Sequence, residues 1–428
     1  MTIHFLIQTL VIGLDGGLLV AWLGTIAYWR KLQQVVIAAP QLEPLRDEVV
    51  SSPVSSTEDA IYPVSALSPS TTPANQVSVI IPAYNEAANI EDCVRAVLQS
   101  SDWTRDRLEV WVVDDQSMDG TLEIVQTLQA TLADSRLAVL AGAPRPADEV
   151  WMGKNWACHQ AVQHANGEFL LFLDADVRLK PGAIETAIAI AQHENSDLLT
   201  CWLAIVCGCF AEWLAQPLIV GIIGAGLPFT EVNDPKSDAV FAVGPFMLFR
   251  RSAYEQLGGH QAVADQVVED VELARRIKQK GLKLYYALGH SLGTLQMYRS
   301  GAALWEGWTK NWYLGSRCNL SITLYGAFMT FWICALPLLG LVALVMKGAI
   351  AGFDWATWVG IAIALVTILW QYQLRLTIQA LSTIPPRNWW LTGIGGIFVT
   401  AIMLASIIKT ETGWGWTWRG RPLQLPKI

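Results

Sequence analysis

The sequence predicts a doubly wound α/β domain carried on transmembrane helices, and three observations predict it. Charged residues make up only 15% of the 428 residues, against about 25% in a soluble domain, and they are unevenly spread. Residues 76–300 hold 17 basic and 28 acidic side chains, a balance of −11, whereas residues 301–428 hold 9 basic and 3 acidic. Outside the acidic centre lie four apolar runs of bilayer-spanning length. Inside it, three short apolar runs each end in an acidic loop that precedes a helical stretch.

The first apolar run, Phe5–Trp29, is broken only by Asp15 and is followed by Arg30 and Lys31. A cleaved signal peptide carries its positive charge ahead of the apolar run. Residues 1–31 therefore read as an uncleaved anchor with its N-terminus outside and its basic end in the cytoplasm. Residues 32–76, rich in Ser, Pro and Thr, have too few apolar side chains to order themselves and predict a flexible linker. The centre, 77–300, is long enough to bury a core of its own. Its acidity excludes a nucleic-acid partner, since a phosphate backbone selects Lys and Arg.

Val77–Ile81 is a buried-strand run ending at Pro82-Ala83-Tyr84-Asn85-Glu86. Leu108–Val113 ends at Asp114-Asp115-Gln116-Ser117, and Glu168–Leu173 ends at Asp174-Ala175-Asp176. In such folds ligands bind outside the carboxyl ends of the strands, so the three acidic loops converge on one edge. Carboxylates gathered there repel one another unless a cation neutralises them. Asp174 and Asp176 suit Mg²⁺ or Mn²⁺, which commonly bridge protein carboxylates to a diphosphate. Val268-Glu269-Asp270-Val271 opens a helix with one apolar face, where an acidic pair also suits the helix dipole.

A further apolar stretch, 198–230, contains Glu212 and Pro217 and is expected to lie on the cytoplasmic leaflet as an interfacial helix or hairpin, with plain protein core as the other reading. Residues 301–317 form an amphipathic, Trp-rich interface segment. The C-terminal transmembrane region, 318–408, holds the uncharged runs Cys318–Met346, Trp355–Leu374 and Asn388–Ile408, and a basic tail, 409–428, follows. Four complete crossings would put that tail outside, against the positive-inside rule, so one run is expected to be re-entrant. The 7 cysteines include no C-x-x-C pair and read as buried free thiols. His159, His164 and His193 read as solvated, and His260 as either structural or functional.

The order P-A-Y-N-E, V-V-D-D-Q-S, G-K-N-W-A (Gly153–Ala157), D-A-D and Glu269-Asp270 resembles the family 2 inverting glycosyltransferases, whose fold is the Rossmann-like, mixed-sheet GT-A nucleotide-sugar-binding domain. The resemblance covers roughly residues 77–300. It implies that Ala83 and Glu86 line a nucleoside pocket, that Asp114 or Asp115 contacts base or ribose, and that Lys154 lies near the diphosphate. It further implies that Asp174 and Asp176 hold the metal and that Asp270 is the base that deprotonates an acceptor hydroxyl.

Processive members carry Q-x-x-R-W after the acidic pair, and this chain does not. Its M-Y-x-x-G-x-x-x-L-x-E-G-W-T-K stretch and Trp418-Arg419-Gly420-Arg421 look like membrane carotenoid glycosyltransferases of the diaponeurosporenoate glucosyltransferase type, and more loosely like hopanoid and other lipid glycosyltransferases. On that likeness Trp308 lies beside the donor or acceptor sugar, and Arg299 or Lys310 near the diphosphate, with Glu269 on the same side. The expected activity is hexosyl transfer from a nucleotide sugar, UDP-glucose, to a hydroxyl of a bilayer-dissolved carotenoid at a bacterial plasma or internal membrane. A hopanoid, sphingolipid or polyprenyl phosphate acceptor is the alternative, and an inactive membrane-binding or transport module the second alternative.

Overall fold

The computed structural model describes residues 2–43, 76–226, 228–414 and 416–422. In chain order, α1 (Thr2–Ile37) is followed by β1 (Val77–Ala83), α2 (Ile90–Gln99), β2 (Leu108–Asp114), α3 (Thr121–Leu132), β3 (Leu137–Ala141) and α4 (Gly153–Val162). Next come β4 (Phe169–Leu173), β5 (Val177–Leu179), α5 (Ala183–His193), β6 (Leu198–Trp202), β7 (Ala204–Ile205), α6 (Phe210–Gly226) and α7 (Phe229–Asn233). The centre closes with β8 (Phe246–Arg250), α8 (Arg251–Leu257), α9 (Glu269–Gln279), β9 (Leu284–Leu288) and β10 (Gly293–Leu295). The remainder is α10 (Gly301–Gly315), α11 (Leu320–Thr330), α12 (Leu336–Ala351), α13 (Trp355–Ser382), α14 (Thr392–Thr412), β11 (Thr417–Trp418) and β12 (Arg421–Pro422).

These elements divide into two compact units that alternate along the chain. The first, the sheet unit, comprises Ala39–Ala204 and Phe229–Gln296. Its seven-stranded sheet has the order β3-β2-β1-β4-β8-β6-β9. β1 pairs parallel with β2 and β4, and β2 with β3, while β8 runs antiparallel to both β4 and β6. The sheet is therefore mixed, as expected. The chain winds outward from β1 through β2 to β3 and then returns to β4 on the other side of β1, which makes the β1/β4 carboxyl edge the switch point, where folds of this kind take their ligands. β1, β4 and β6 carry almost no polar side chains because both faces of a central strand are covered.

The second unit comprises Met1–Ala38, Ile205–Pro228 and Met297–Leu425. Among the described residues, four helical stretches are long and apolar enough to cross a membrane: Gln8–Ile37, Leu320–Ala351, Trp355–Ser382 and Trp389–Thr412. Two prolines in helices of this unit, one in the shorter α6 and one in the stretch Leu320–Ala351, leave backbone carbonyls without their usual donors, and one face of α13 supplies both replacements. Pro217 in α6 has no N–H to give to the carbonyl of Trp213, and Arg375 donates to that oxygen at 3.2 Å. Pro337 likewise frees Ile333, the middle of a π-helical turn over Phe331–Ala335. Gln371 donates to the carbonyls of Ile333 and Cys334 at 2.9 and 3.2 Å.

The interplay is measurable. Arg375→Leu should destabilise the protein by about 1–3 kcal/mol, the cost of an orphaned buried carbonyl. In a Pro217→Ala background, where residue 217 regains its N–H, the same substitution should cost much less in thermal unfolding in detergent. Additive effects of the two changes would show that Arg375 does not serve the proline's carbonyl.

Three expectations are revised by the fold. Residues 198–230 do not form one interfacial segment: Leu198–Trp202 is the central strand β6, fully buried between β8 and β9, and only the stretch from Phe210 is helix in the second unit. An aliphatic run covered on both faces of a sheet has the same composition as one covered by lipid. The anchor helix continues past residue 31 to Ile37, and Gln41 then bridges to Leu288 while Leu42 N–H bonds its carbonyl at 2.8 Å. Residues 32–43 are thus structured, and the rest of the expected linker, 44–75, lies outside the described residues. The third transmembrane run extends beyond Leu374 to Ser382, because Arg375 is satisfied inside the bundle and does not end the helix.

Candidate active site

Every residue of the candidate site belongs to the sheet unit. The loops after β1 and β2 are laced together by one backbone hydrogen bond and several side chain to backbone ones. Asp115 N–H bonds the carbonyl of Ala83 at 2.7 Å, Asn85 N–H bonds Ser117 Oγ at 2.9 Å, and Glu86 N–H bonds Thr121 Oγ1 at 2.8 Å. Asp119 Oδ2 accepts from Ala87 N–H at 3.0 Å. Burial opposes ionisation of Asp119, but its bonds to Thr121 and Ala87 outweigh burial and hold its carboxyl below the usual range. Asn85, at φ 54, takes the left-handed conformation the tight turn requires. This lacing makes a shallow wall of Ala83, Glu86, Asp114 and Asp115, with both aspartates buried at 4% exposure. Asp114 Oδ2 accepts from Ser117 N–H at 3.1 Å, while its buried Oδ1 has no protein donor. An orphaned carboxylate oxygen of this kind suits the hydroxyl or amine donors of a nucleoside.

At the end of β4 the charges converge. Lys154 Nζ lies 2.7 Å from Asp174 Oδ1 and 2.8 Å from Glu269 Oε1, so one ammonium joins the β4 loop to the start of α9. Burial lowers the pKa of Lys154, yet the two carboxylates outweigh it and hold it well above its ordinary value. Lys154 owes its position to its neighbour Asn155, whose buried amide donates to the carbonyls of Val263, Ala264 and Gln266 at 2.7, 3.2 and 2.9 Å. These bonds fasten α4 to the loop that leads into α9.

Asp270 stands next to Glu269 in the first turn of α9. Its Oδ2 accepts from Gly244 N–H at 2.9 Å and its Oδ1 from Val271 N–H at 2.8 Å. A Cβ on Gly244 would sit 2.9 Å from Oδ2 and 3.4 Å from Lys154 Nζ, so any larger residue there would displace the Asp270 carboxylate. Burial pushes the pKa of Asp270 up to about 7, the adjacent Glu269 charge adds to the rise, and Lys154 and the two backbone donors oppose it. A carboxylate with a pKa there can collect a proton and release it again near neutral pH.

The residues fit a divalent cation that arrives with phosphates. Among the described residues no group of three or more His, Cys, Asp or Glu side chains forms a complete cage. Mg²⁺ and Mn²⁺ do not need one, because one or two carboxylates complete their shell together with waters and substrate phosphates. Asp174 and Asp176 are such a pair, and Asp174 already attracts the nearest cation available, Lys154. The backbone around Asp176 is fixed by Gln296 N–H, which bonds its carbonyl at 3.3 Å.

The remaining expected site residues belong to the second unit and have local partners there. Trp308 Nε1 donates to Gln216 Oε1 at 2.9 Å, and Lys310 Nζ sits 4.0 Å from the centre of the Trp418 ring. Arg299 is exposed just ahead of α10. His260 proves structural: it is buried, its Nδ1 is hydrogen-bonded to the Tyr254 hydroxyl at 2.8 Å, and its ring packs 4.7 Å from that of Phe172. Burial pulls its pKa down to about 3, with Lys154 and His159 adding to the effect. His159, expected to be solvated, instead packs against Trp151 and Trp156, at 5.1 and 5.8 Å between ring centroids. The roles of Asn155 and Gly244 are set by the fold, since their partners lie far away in the chain, and Gly244-Pro245, which reads in the sequence as part of an acceptor-side wall, lies against Asp270.

A mixed α/β sheet with acidic loops at its switch point, in a chain that also has four apolar helices long enough to cross a membrane, is the architecture of the GT-A class. Residues 78–258 match the family described as glycosyl transferase family 2, and residues 169–402 match glycosyl transferase family group 2. The chain belongs to the latter family, whose match covers more than half of it.

Among curated proteins it is similar to 4,4'-diaponeurosporenoate glycosyltransferase of Staphylococcus aureus, at 28% identity over 244 residues, which is 56% of this chain and 61% of the relative. The chain thus spans about three fifths of the length of that relative. Among solved structures it is similar to a mannosyltransferase from Pyrobaculum calidifontis in complex with GDP-Man and Mn2+. The TM-score there is 0.52 at 20% identity, covering 95% of this chain and 99% of the other, a likeness of fold.

Proposed function

We propose that the protein is a metal-dependent, inverting, non-processive glycosyltransferase that moves a hexose, glucose from UDP-glucose, to a hydroxyl of a bilayer-dissolved lipid, a carotenoid. The observation that carries the reading is the junction at Lys154: one ammonium links a carboxylate of the expected metal pair, Asp174, to the acidic pair that contains the base, Asp270. Donor-side and acceptor-side chemistry thereby share one edge of the sheet.

In this mechanism the laced β1 and β2 loops hold the nucleoside, with Asp114 or Asp115 accepting from its base or ribose. Lys154 balances diphosphate charge as a compact cation. Asp174 and Asp176 would hold the divalent ion, which would supply Lewis-acid stabilisation of the departing diphosphate. Asp270, its two oxygens oriented by Gly244 and Val271, takes the acceptor hydroxyl proton as that oxygen bonds to the anomeric carbon. The bond from the anomeric carbon to the diphosphate oxygen breaks on the opposite face, which inverts the centre.

The lipid acceptor is supported by the named activity of the staphylococcal relative and by the four helices of membrane-spanning length. The GDP-Man and Mn2+ bound to the Pyrobaculum calidifontis mannosyltransferase accord with a nucleotide-sugar donor and a divalent ion. Mass spectrometry of pigments and lipids from cells lacking the gene tests the acceptor. Loss of a glycosylated carotenoid is expected. Unchanged carotenoid glycosides with loss of a hopanoid, sphingolipid or polyprenyl-linked sugar would replace the acceptor and keep the chemistry.

A further inference from the structure

Side-chain neighbours within the second unit fix the direction of each apolar helix. α1 and α13 run parallel. Asp15 lies against Gly360 near one end, the rings of Trp29 and Trp370 meet at 5.5 Å, and Leu32 and Leu381 border the same residue, Gly224, near the other end. The continuous helix Leu320–Ala351 runs the opposite way, with Ile333 beside Gly24 and Gly340 beside Leu18. α14 is antiparallel to that helix: Gly393 borders Leu338, Gly396 borders Cys334, and Thr400 Oγ1 lies 3.4 Å from the Ala327 carbonyl. Farther along, Ser406 accepts from Tyr313 N–H at 2.9 Å and Glu411 accepts from Tyr313 O–H at 2.8 Å, so α14 ends beside α10.

α13 and α14 are therefore consecutive helices that point the same way. If both crossed completely, the connection between them would have to recross a hydrocarbon core of about 30 Å. Only residues 383–388 are non-helical before the helical turn Trp389–Leu391 that opens the last apolar stretch, and they reach about 21 Å at full extension. The ring of Trp389 in fact meets that of Tyr372 at 5.4 Å, roughly 15 Å back along α13 from its end at Ser382.

We propose that α14 is re-entrant: the chain climbs partway back beside α13 and α14 returns it to the face it left. The protein then crosses the membrane three times, and its C-terminal hairpin lies on the face where α1 ends and α10 lies. Two independent features accord with this. Pro385 and Pro386 in the connection bring no N–H groups that would need partners at membrane depth. The tail is also held to α10, since Glu306 accepts from Thr417 Oγ1 at 2.8 Å and from Arg419 N–H at 3.2 Å, and Lys310 caps the Trp418 ring. Lys409, Arg419 and Arg421 then share a face with Arg30 and Lys31, which removes the conflict with the positive-inside rule.

The test places an epitope at the α12–α13 turn beside Gly352 or after Ile428 in the full-length chain and measures antibody access in sealed membrane vesicles of both orientations. The two epitopes should be reached from opposite faces, each near completely in one vesicle preparation and at background in the other. Access to both from the same face overturns the proposal. If the internal epitope prevents folding, an impermeant maleimide applied to Ile350→Cys or Trp414→Cys makes the same comparison, with Cys207, Cys209 and Cys318 changed to Ser. Both positions are well exposed, at 83% and 78%.

Discussion

Asp270→Asn should lower sugar transfer by about 10²- to 10⁴-fold, the range for loss of a general base, while leaving nucleotide-sugar binding and thermal stability nearly unchanged. Asparagine keeps one acceptor oxygen, enough for Gly244 or Val271 but not both, so most of the local structure survives, but it cannot take the proton. The wild-type enzyme should show a pH profile with the same origin. Protonated Asp270 is inactive as a base, and burial with the adjacent Glu269 raises its pKa to about 7, so activity should rise with pH through that value. Glu269→Gln removes one cause of the rise and should move the midpoint downward. Full activity in Asp270→Asn would place the base elsewhere. Retention of most activity with an unchanged donor site would point to an acceptor that is already anionic, such as a polyprenyl phosphate.

The second large effect concerns the donor side. Asp176→Ala, or treatment of the wild type with a chelator, should cost several kcal/mol of transition-state stabilisation, roughly 10³-fold in rate. In the chelator case, but not in the variant, Mg²⁺ or Mn²⁺ should restore activity. Calorimetry should show that wild-type binding of UDP-glucose depends on the divalent ion and that the variant has lost that dependence. Ion-independent binding and turnover would mean that Lys154 alone neutralises the diphosphate, a role its place between Asp174 and Glu269 allows.

The parts of the site legible in the sequence were those written in short, local patterns. Strands ending at Ala83, Asp114 and Leu173 announced themselves by aliphatic runs that stop at acidic residues, and the sheet order brings those ends together. The illegible parts depend on long-range pairing. Nothing near Asn155 in the chain shows that its amide will fasten a loop more than a hundred residues away, nor does Gly244 announce the carboxylate it must admit. β6 was hidden for a different reason, since LLTCW runs almost directly into the apolar helix α6 and hydrophobicity cannot distinguish protein interior from lipid. Arg375 misled in the other direction: a charge that looks like the end of a membrane run is in fact paired with a backbone carbonyl in the bundle.

The alternation of the two units along the chain has a practical consequence for anyone preparing the protein. α6 is inserted between β6 and β8, so the strands that complete the sheet are synthesised only after a helix that belongs with the apolar bundle. Trimming both termini would leave α6 behind, with its apolar surface stripped of α1, α13 and α14. A soluble fragment therefore has to be made by excising an internal loop and rejoining the ends near Ala204 and Phe229. During biosynthesis, too, the carbonyl of Trp213 has to wait for Arg375, 162 residues later, before it gains this donor.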